Sequence, residues 1–316
     1  MKRGLRTRLE VERLTGNSRA IRRVMEQVQT VAPTRAAVLI EGEPGSGKRL
    51  VAQIIHRNSP RRDARFVWAN CAAAAAGVIE GDLFGWERGA LGAGVAQPGW
   101  LELADGGSLF LDEVGAAPPG VQMRLLRAIL ERAYERVGGL QTLRADVRML
   151  ASTSRDLTTD LEAGRFRGDL FERLSVVRIT IPPLRERTED LALLVAVFIK
   201  EFNLEHGRKV LGASPGALEA LVRHPWPGNV RELRGAIEAM VVATHERRKL
   251  ELSDLPSSLR GRMNSRSALS VTVGMTVAEA ERRLIEATLR HTGGDKPRAA
   301  AMLGIGLRSL YRKLPE

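Results

Sequence analysis

The stretch Gly42-Glu43-Pro44-Gly45-Ser46-Gly47-Lys48 limits this chain more than any other part of it. It stands between an apolar run, Val38-Leu39-Ile40, and a helical pattern from Leu50 to His56. A strand therefore runs into a glycine turn that opens a helix, the setting a phosphate-binding loop requires. The glycines let backbone N–H groups converge on an anion, the helix N-terminus adds a favourable dipole, and Lys48 supplies a point charge. Gly42, Glu43, Pro44, Gly45, Ser46, Gly47, Lys48 and Arg49 are its candidate contacts. Arg49 stands where Ser or Thr often follows the lysine. Taken alone, the segment is also compatible with a plain glycine-rich β-turn.

A second motif sharpens the choice. Leu109-Phe110-Leu111 is an apolar strand ending in Asp112-Glu113. Two carboxylates at such a strand end suit an Mg²⁺ site at Asp112, through water, and a water-activating base at Glu113. An Asp-Glu pair after a strand also serves as a helix N-cap. The order and spacing of the two motifs favour ATP with Mg²⁺.

Further short apolar runs, Phe66-Val67-Trp68, Val147 to Ala151 and Val176 to Ile181, alternate with helical patterns. That alternation predicts a parallel sheet in a three-layer α/β domain. From Thr188 to Leu255 the pattern is helical only, punctuated by Ser214-Pro215-Gly216 and Trp226-Pro227-Gly228. Residues Arg260 to Gly274 carry Ser, Gly, Asn and Arg without acids, a linker composition. The expected division is an α/β ATPase part over 1–187, a helical lid over 188–258, a linker over 259–275 and a small all-α domain over 276–316.

The tail carries its own pattern. Ala278 to His291 repeats apolar residues at helical spacing (Leu284, Ile285, Ala287, Thr288, Leu289) and suits a dimerisation helix. Lys296 to Leu303 and Leu307 to Leu314 flank Gly304-Ile305-Gly306, a helix-turn-helix pattern that a helical hairpin cap also matches. Arg308, Ser309 and Arg312 on the second helix are placed to read base edges, and Lys296, Arg298 and Lys313 to meet phosphates. A net charge of +12 fits a polyanionic partner. Cys71 is the only cysteine, so an intramolecular disulfide is excluded, and the five histidines lack metalloprotease spacing. No apolar stretch is long enough to span a bilayer, and the basic N-terminus lacks the apolar core of a secretory signal. A cytoplasmic protein without a membrane partner is expected.

The residues around these motifs closely resemble bacterial enhancer-binding proteins, AAA+ activators that work with sigma-54 RNA polymerase. The matching stretches include Leu14-Thr15-Gly16-Asn17-Ser18, Gly42 to Lys48, Asn70-Cys71-Ala72-Ala73, Leu83-Phe84-Gly85 and Leu109 to Glu113. They continue through Arg136-Val137-Gly138-Gly139, Gly164-Arg165-Phe166-Arg167, Pro183-Leu184-Arg185-Glu186-Arg187 and Gly228-Asn229-Val230-Arg231-Glu232-Leu233. The tail resembles the same family's Fis-like DNA-binding domain, and the sensory N-terminal domain of many members is missing from the 316 residues.

The resemblance implies an ATP hydrolase that assembles into a ring, with a hexamer expected. It also implies duplex DNA (an enhancer-like or operator site) and RNA polymerase holoenzyme as partners. It makes Asn70 the switch that restrains the catalytic glutamate, Arg167 and Arg173 the arginine fingers reaching a neighbour's γ-phosphate, and Arg231 the lid arginine that senses nucleotide. Two positions depart from the family pattern. Ser154 stands where Asn or His is commoner. The loop Gly89-Ala90-Leu91-Gly92-Ala93-Gly94 lacks the Phe and Thr through which the family contacts sigma-54. An ATP-assembled regulator independent of sigma-54 is the alternative that this loop raises. Gly306, where the family often has Ser, removes a helix cap.

Overall fold

The computed structural model describes residues 16–72, 76–90, 95–244, 247–257, 259 and 274–313. The N-terminal 15 residues, loop positions 91–94, Ala73, linker positions 260–273 and Leu314 lie outside the described residues. The chain divides into two compact units, Met1–Asp254 and Leu255–Glu316.

In the first unit, α1 (Arg19–Val31) leads into β1 (Val38–Glu41), α2 (Lys48–Arg57), β2 (Phe66–Asn70), α3 (Ala76–Phe84), α4 (Trp100–Leu103) and β3 (Ser108–Asp112). Next come α5 (Pro119–Glu131), a hairpin of β4 (Ala133–Glu135) and β5 (Thr142–Arg144), and then β6 (Arg148–Thr153). The α/β part closes with α6 (Leu157–Glu162), α7 (Gly168–Leu174) and β7 (Val177–Thr180).

Five parallel strands form one sheet in the order β2-β3-β6-β1-β7. The three central strands, β3, β6 and β1, are buried almost throughout, the signature of strands covered on both faces, while the edge strands β2 and β7 are partly exposed. Alternation along the strands divides their side chains between two cores. Leu39, Leu109, Leu111 and Ala151 pack with Ile79, Leu83, Phe84 and Leu170 on one face. Val38, Ile40, Phe110 and Leu150 pack with Val24, Val28, Ile54 and Ile55 on the other. The parallel three-layer α/β arrangement read from the sequence is therefore present.

Three helices, α8 (Leu191–Glu205), α9 (Pro215–Arg223) and α10 (Asn229–Ala243), form the helical part of this unit. Ser214 caps α9 by accepting from the Ala217 N–H at 3.3 Å, and Pro215 fits the first turn, where no N–H is needed. Trp226 is fully buried and donates its indole N–H to Leu221 O at 2.8 Å. The α/β part is tied to this region near its first helix. Asp190, just before α8, accepts from the Ser18 N–H at 2.8 Å and from the Ser18 hydroxyl at 2.6 Å, all fully buried.

The second unit holds α11 (Val277–His291), α12 (Lys296–Leu303) and α13 (Leu307–Lys313). Asp295 caps α12 through the Arg298 N–H at 3.1 Å, and Gly304 ends it in a left-handed turn at φ 66°. Ile285, Ala299, Ala300 and Leu310 make the core, with Leu289, Leu303 and Ile305 against it. The apolar stripe expected to serve dimerisation is thus divided. Ile285 and Leu289 go to the internal core, while Leu284 remains exposed.

Asp190→Ala leaves the Ser18 N–H and hydroxyl buried without an acceptor. It is expected to cost about 2–4 kcal/mol, read as a lower urea midpoint for the first unit by tryptophan fluorescence. A change under about 0.5 kcal/mol would contradict a structural role for this contact.

Candidate functional site

The strand order brings the chemistry to one edge of the sheet. The glycine loop follows β1, Asp112 ends β3, and Ser152 to Ser154 end or follow β6, which lies between them. Ligands in open α/β sheets bind beyond these carboxyl ends. Gly47 at φ 112° turns the chain into α2 in a backbone region that side chains rarely adopt. Gly45 is required for a different reason. A Cβ there would stand 2.2 Å from Gly228 O, because the turn before α10 lies against the loop.

Lys48 is almost fully buried. Its ammonium donates to Gly42 O at 2.8 Å and pairs with Glu113 Oε1 at 3.0 Å. Glu113 occupies a left-handed conformation, φ 56°, ψ 50°, that is uncommon for a residue with a side chain. Its second oxygen accepts from the Ser154 N–H at 2.9 Å and from the Ser154 hydroxyl at 2.7 Å. Burial works to raise the Glu113 pKa, but the donors Ser154 and Lys48 outweigh it and hold the carboxyl below its ordinary value. Glu113 is therefore ionised at neutral pH, as a base must be.

Asp112 accepts from the Ser152 hydroxyl through one oxygen and from the Trp68 indole N–H, at 3.3 Å, through the other. Arg49 lines the cleft beside the loop. Its guanidinium lies over the Trp68 ring, 4.1 Å from the centroid. Cys71, behind this edge, is buried, and its thiol is pushed up to about 12 by burial and by the Asp112 and Glu113 charges. It is not a nucleophile.

Asn70 ends β2 in register with Asp112, but its side-chain oxygen accepts from the Ala72 N–H at 2.9 Å. In this structure Ser154 and Lys48, not Asn70, hold Glu113. Ser154, which departs from the family pattern, is thus, with Lys48, in direct contact with the base.

The lid side is fixed by residues that local pattern alone does not reveal. Asn229, buried at φ 53°, donates to Glu43 Oε2 at 3.0 Å and Pro44 O at 3.2 Å, and accepts from the Leu184 N–H at 2.8 Å. Arg185 grips Glu43 through both oxygens at 2.7 and 2.8 Å. These two partners, Arg185 first, lower the Glu43 pKa. Arg187 donates to Ser46 O at 3.1 Å, and the Arg231 N–H to Gly45 O at 3.3 Å.

Lys48, Arg49, Asn70, Asp112, Glu113, Ser154 and Arg231 are among the residues that line a cleft of about 790 Å³. That volume falls within the range of sites for nucleotide-sized ligands. Arg167 and Arg173 do not line it. Arg167 precedes α7 and pairs with Asp169 at 2.7 Å, and Arg173 lies in the last turn of that helix.

Mg²⁺ is held in such sites by one or two carboxylates together with phosphates and waters. Asp112, fixed by Ser152 and Trp68 beside the loop, fits that role as an anchor through water. Among the described residues no three His, Cys, Asp or Glu side chains are grouped so as to hold a metal ion. Also among the described residues, no helix is long and apolar enough to cross a membrane.

In the second unit Arg298, Arg308 and Arg312 are exposed, with Ser309 half-buried. Two residues assigned to phosphate contacts are engaged internally. Lys296 lies over the Tyr311 ring, 4.7 Å from the centroid, and Lys313 pairs with Glu281 at 2.6 Å.

Comparison with known proteins agrees with this geometry along nearly the whole chain. Residues 14–180 match the Sigma-54 interaction domain, 185–271 the AAA+ ATPase lid domain, and 276–316 the Bacterial regulatory protein, Fis family. The transcriptional regulatory protein ZraR of Escherichia coli (strain K12) is 42% identical over 308 residues, spanning 95% of this chain and 68% of that protein. The nitrogen fixation protein AnfA of Azotobacter vinelandii is 40% identical over 311 residues, 98% of this chain and 58% of that one. The crystal structure of NtrX from Brucella abortus in complex with ADP superposes with a TM-score of 0.75 at 33% identity, covering 98% of this chain and 71% of that chain. NtrX from Brucella abortus in complex with ATP gives 0.74 at 34%, covering 95% and 68%. These matches do not favour a regulator independent of sigma-54. The chain belongs to the family of sigma-54-dependent transcriptional activators, with an AAA+ domain, a lid and a Fis-type DNA-binding helix-turn-helix.

Proposed function

We propose that this chain binds ATP in the cleft between the glycine loop and the lid, and hydrolyses it in a ring. Turnover opens promoters for sigma-54 RNA polymerase, while the C-terminal unit holds duplex DNA. One observation carries the reading: Glu113 stands ionised beside Asp112, held by Lys48 and Ser154 at the open edge of the sheet. The loop N–H groups and Lys48 bind the phosphates, Arg231 meets them from the lid, and Glu113 takes a proton from the attacking water. When phosphates occupy the loop, Lys48 exchanges its partner Glu113 for them. The base is then free on that side and retained by Ser154. Mg²⁺ near Asp112 would supply charge neutralisation on the phosphates. Arg167 and Arg173, absent from their own cleft, are placed by this reading in the cleft of a neighbouring subunit. The NtrX complexes with ADP and ATP support nucleotide binding in such a domain.

Lys48→Ala is expected to abolish nucleotide binding, and Glu113→Ala to bind ATP with little turnover. Mixing Arg173→Ala with Glu113→Ala subunits restores part of the phosphate release if the finger acts between subunits. No restoration at any ratio would mean that each site is complete within one chain.

For DNA, Arg308→Ala or Arg312→Ala is expected to reduce discrimination between cognate and random duplex by about 1–3 kcal/mol. Arg298→Ala weakens both duplexes alike and lowers the salt slope by about one. Fluorescence anisotropy at several salt concentrations reads both effects, and unchanged affinity in all three variants would remove this unit as the DNA reader.

For the polymerase, ATP-dependent transcription in vitro is expected with sigma-54 holoenzyme and not with the major holoenzyme. Replacing Leu91 by Phe and inserting Thr after it restores an aromatic surface and a hydroxyl to every subunit, and open-complex yield should rise. Activation of the major holoenzyme instead would overturn the assignment of the partner.

A further inference from the structure

A second cavity lies at the opposite end of the sheet from the glycine loop, where Arg148 opens β6. Its volume is about 160 Å³. That is too small for a nucleotide-sized ligand and large enough for an ion with water. Four arginines, Arg35, Arg61, Arg132 and Arg148, line it against the single carboxylate of Asp146.

The inner arginines are fixed. Arg61 donates to Gly107 O at 2.9 Å and pairs with Asp146 Oδ2 at 2.8 Å. Arg148 is only 2% exposed, and its guanidinium donates to Ala32 O at 2.8 Å and Val31 O at 2.9 Å, both backbone carbonyls at the end of α1. No carboxylate balances its charge. Burial and the neighbouring Arg61 push its pKa down to about 10, so it remains protonated at neutral pH. Its Nε–H is buried without an acceptor.

A second buried donor shares this wall. The Tyr134 side chain is 4% exposed, and its hydroxyl has no hydrogen-bond partner. Burial, with the Glu102 and Asp105 charges adding and Arg136 opposing, pushes the phenol up to about 12, so it remains an O–H donor. With Asp146 the single carboxylate in the lining, and Arg35 and Arg132 at its exposed side, the cavity carries an excess of positive charge. A tetrahedral oxyanion would balance it, and a guanidinium matches its oxygens geometrically.

We propose that this cavity binds a small tetrahedral oxyanion of the inorganic phosphate type, held by Arg148, Tyr134 and Arg61 with Arg132 and Arg35 at its exposed side. The site is separate from the ATP cleft and shares none of its lining residues. The enclosed walls favour a free ion over a phosphate on a macromolecule.

The test is calorimetric titration of inorganic phosphate, against chloride at matched ionic strength, into the full chain carrying Lys48→Ala, which disables the glycine loop as a competing phosphate site. One saturable site per chain is expected. Adding Tyr134→Phe, which preserves shape and removes only the hydroxyl, should weaken binding about tenfold. Arg132→Ala, at a solvent-exposed position, should weaken it severalfold without altering the fold, and it decides the matter alone if Tyr134→Phe lowers the melting midpoint in phosphate-free buffer. Absence of saturable binding beyond chloride would overturn the proposal, as would binding that neither substitution changes.

Discussion

The site is organised around a buried ammonium that needs partners. Lys48 lies inside the protein, and a buried charge persists only where it is paired and hydrogen-bonded. Its partners, Gly42 O and Glu113, come from the ends of β1 and β3, two strands separated by β6. Satisfying Lys48 therefore fixes the relative height of these two strand ends. Ser154, just beyond β6, completes the arrangement by holding the other oxygen of Glu113. In the proposed function, phosphate engages the same groups that stabilise this edge, so binding and rearrangement of the site would be one event.

The lid is joined to that edge by close backbone approach as well as by side chains. Gly45 and the Gly228 carbonyl approach so closely that no Cβ fits between them, and the Arg231 N–H donates to Gly45 O. Asn229 bridges Glu43, Pro44 and the Leu184 N–H, while Arg185 holds Glu43 from the other side. Asn229 adopts a left-handed conformation, a cost that its three contacts and burial offset. The start of α10, which carries Arg231, is thereby joined to the phosphate loop by a contiguous set of hydrogen bonds. The proposed sensing of loop occupancy by the lid would run through these contacts.

Much of this was legible in the sequence. Apolar runs of strand length bounded by turns located the five sheet strands, most clearly the central three, where burial on both faces leaves few polar residues. Gly42 to Lys48 and Asp112-Glu113 identified themselves by residue type and order. The β4–β5 hairpin did not, since strands of three residues are too short for any periodicity to register. The partners of Asp112 were equally hidden. Trp68 and Ser152 lie about 40 residues away in either direction, and only strand pairing brings them together. Asn70 illustrates the opposite limit, since a residue at the right strand end can spend its side chain on its own turn. In the tail, residue type marked Lys296 and Lys313 as phosphate contacts, whereas Tyr311 and Glu281 engage them within the unit.

The central claim is that nucleotide phosphate takes Lys48 from Glu113. A structure of the chain with a non-hydrolysable ATP analogue and Mg²⁺ tests it most directly. The account predicts Lys48 Nζ within hydrogen-bond distance of a phosphate oxygen and beyond ion-pair reach, about 4 Å, of Glu113, with Ser154 still on the carboxylate. A bound analogue with the Lys48–Glu113 pair intact, at the present 3.0 Å, would contradict it.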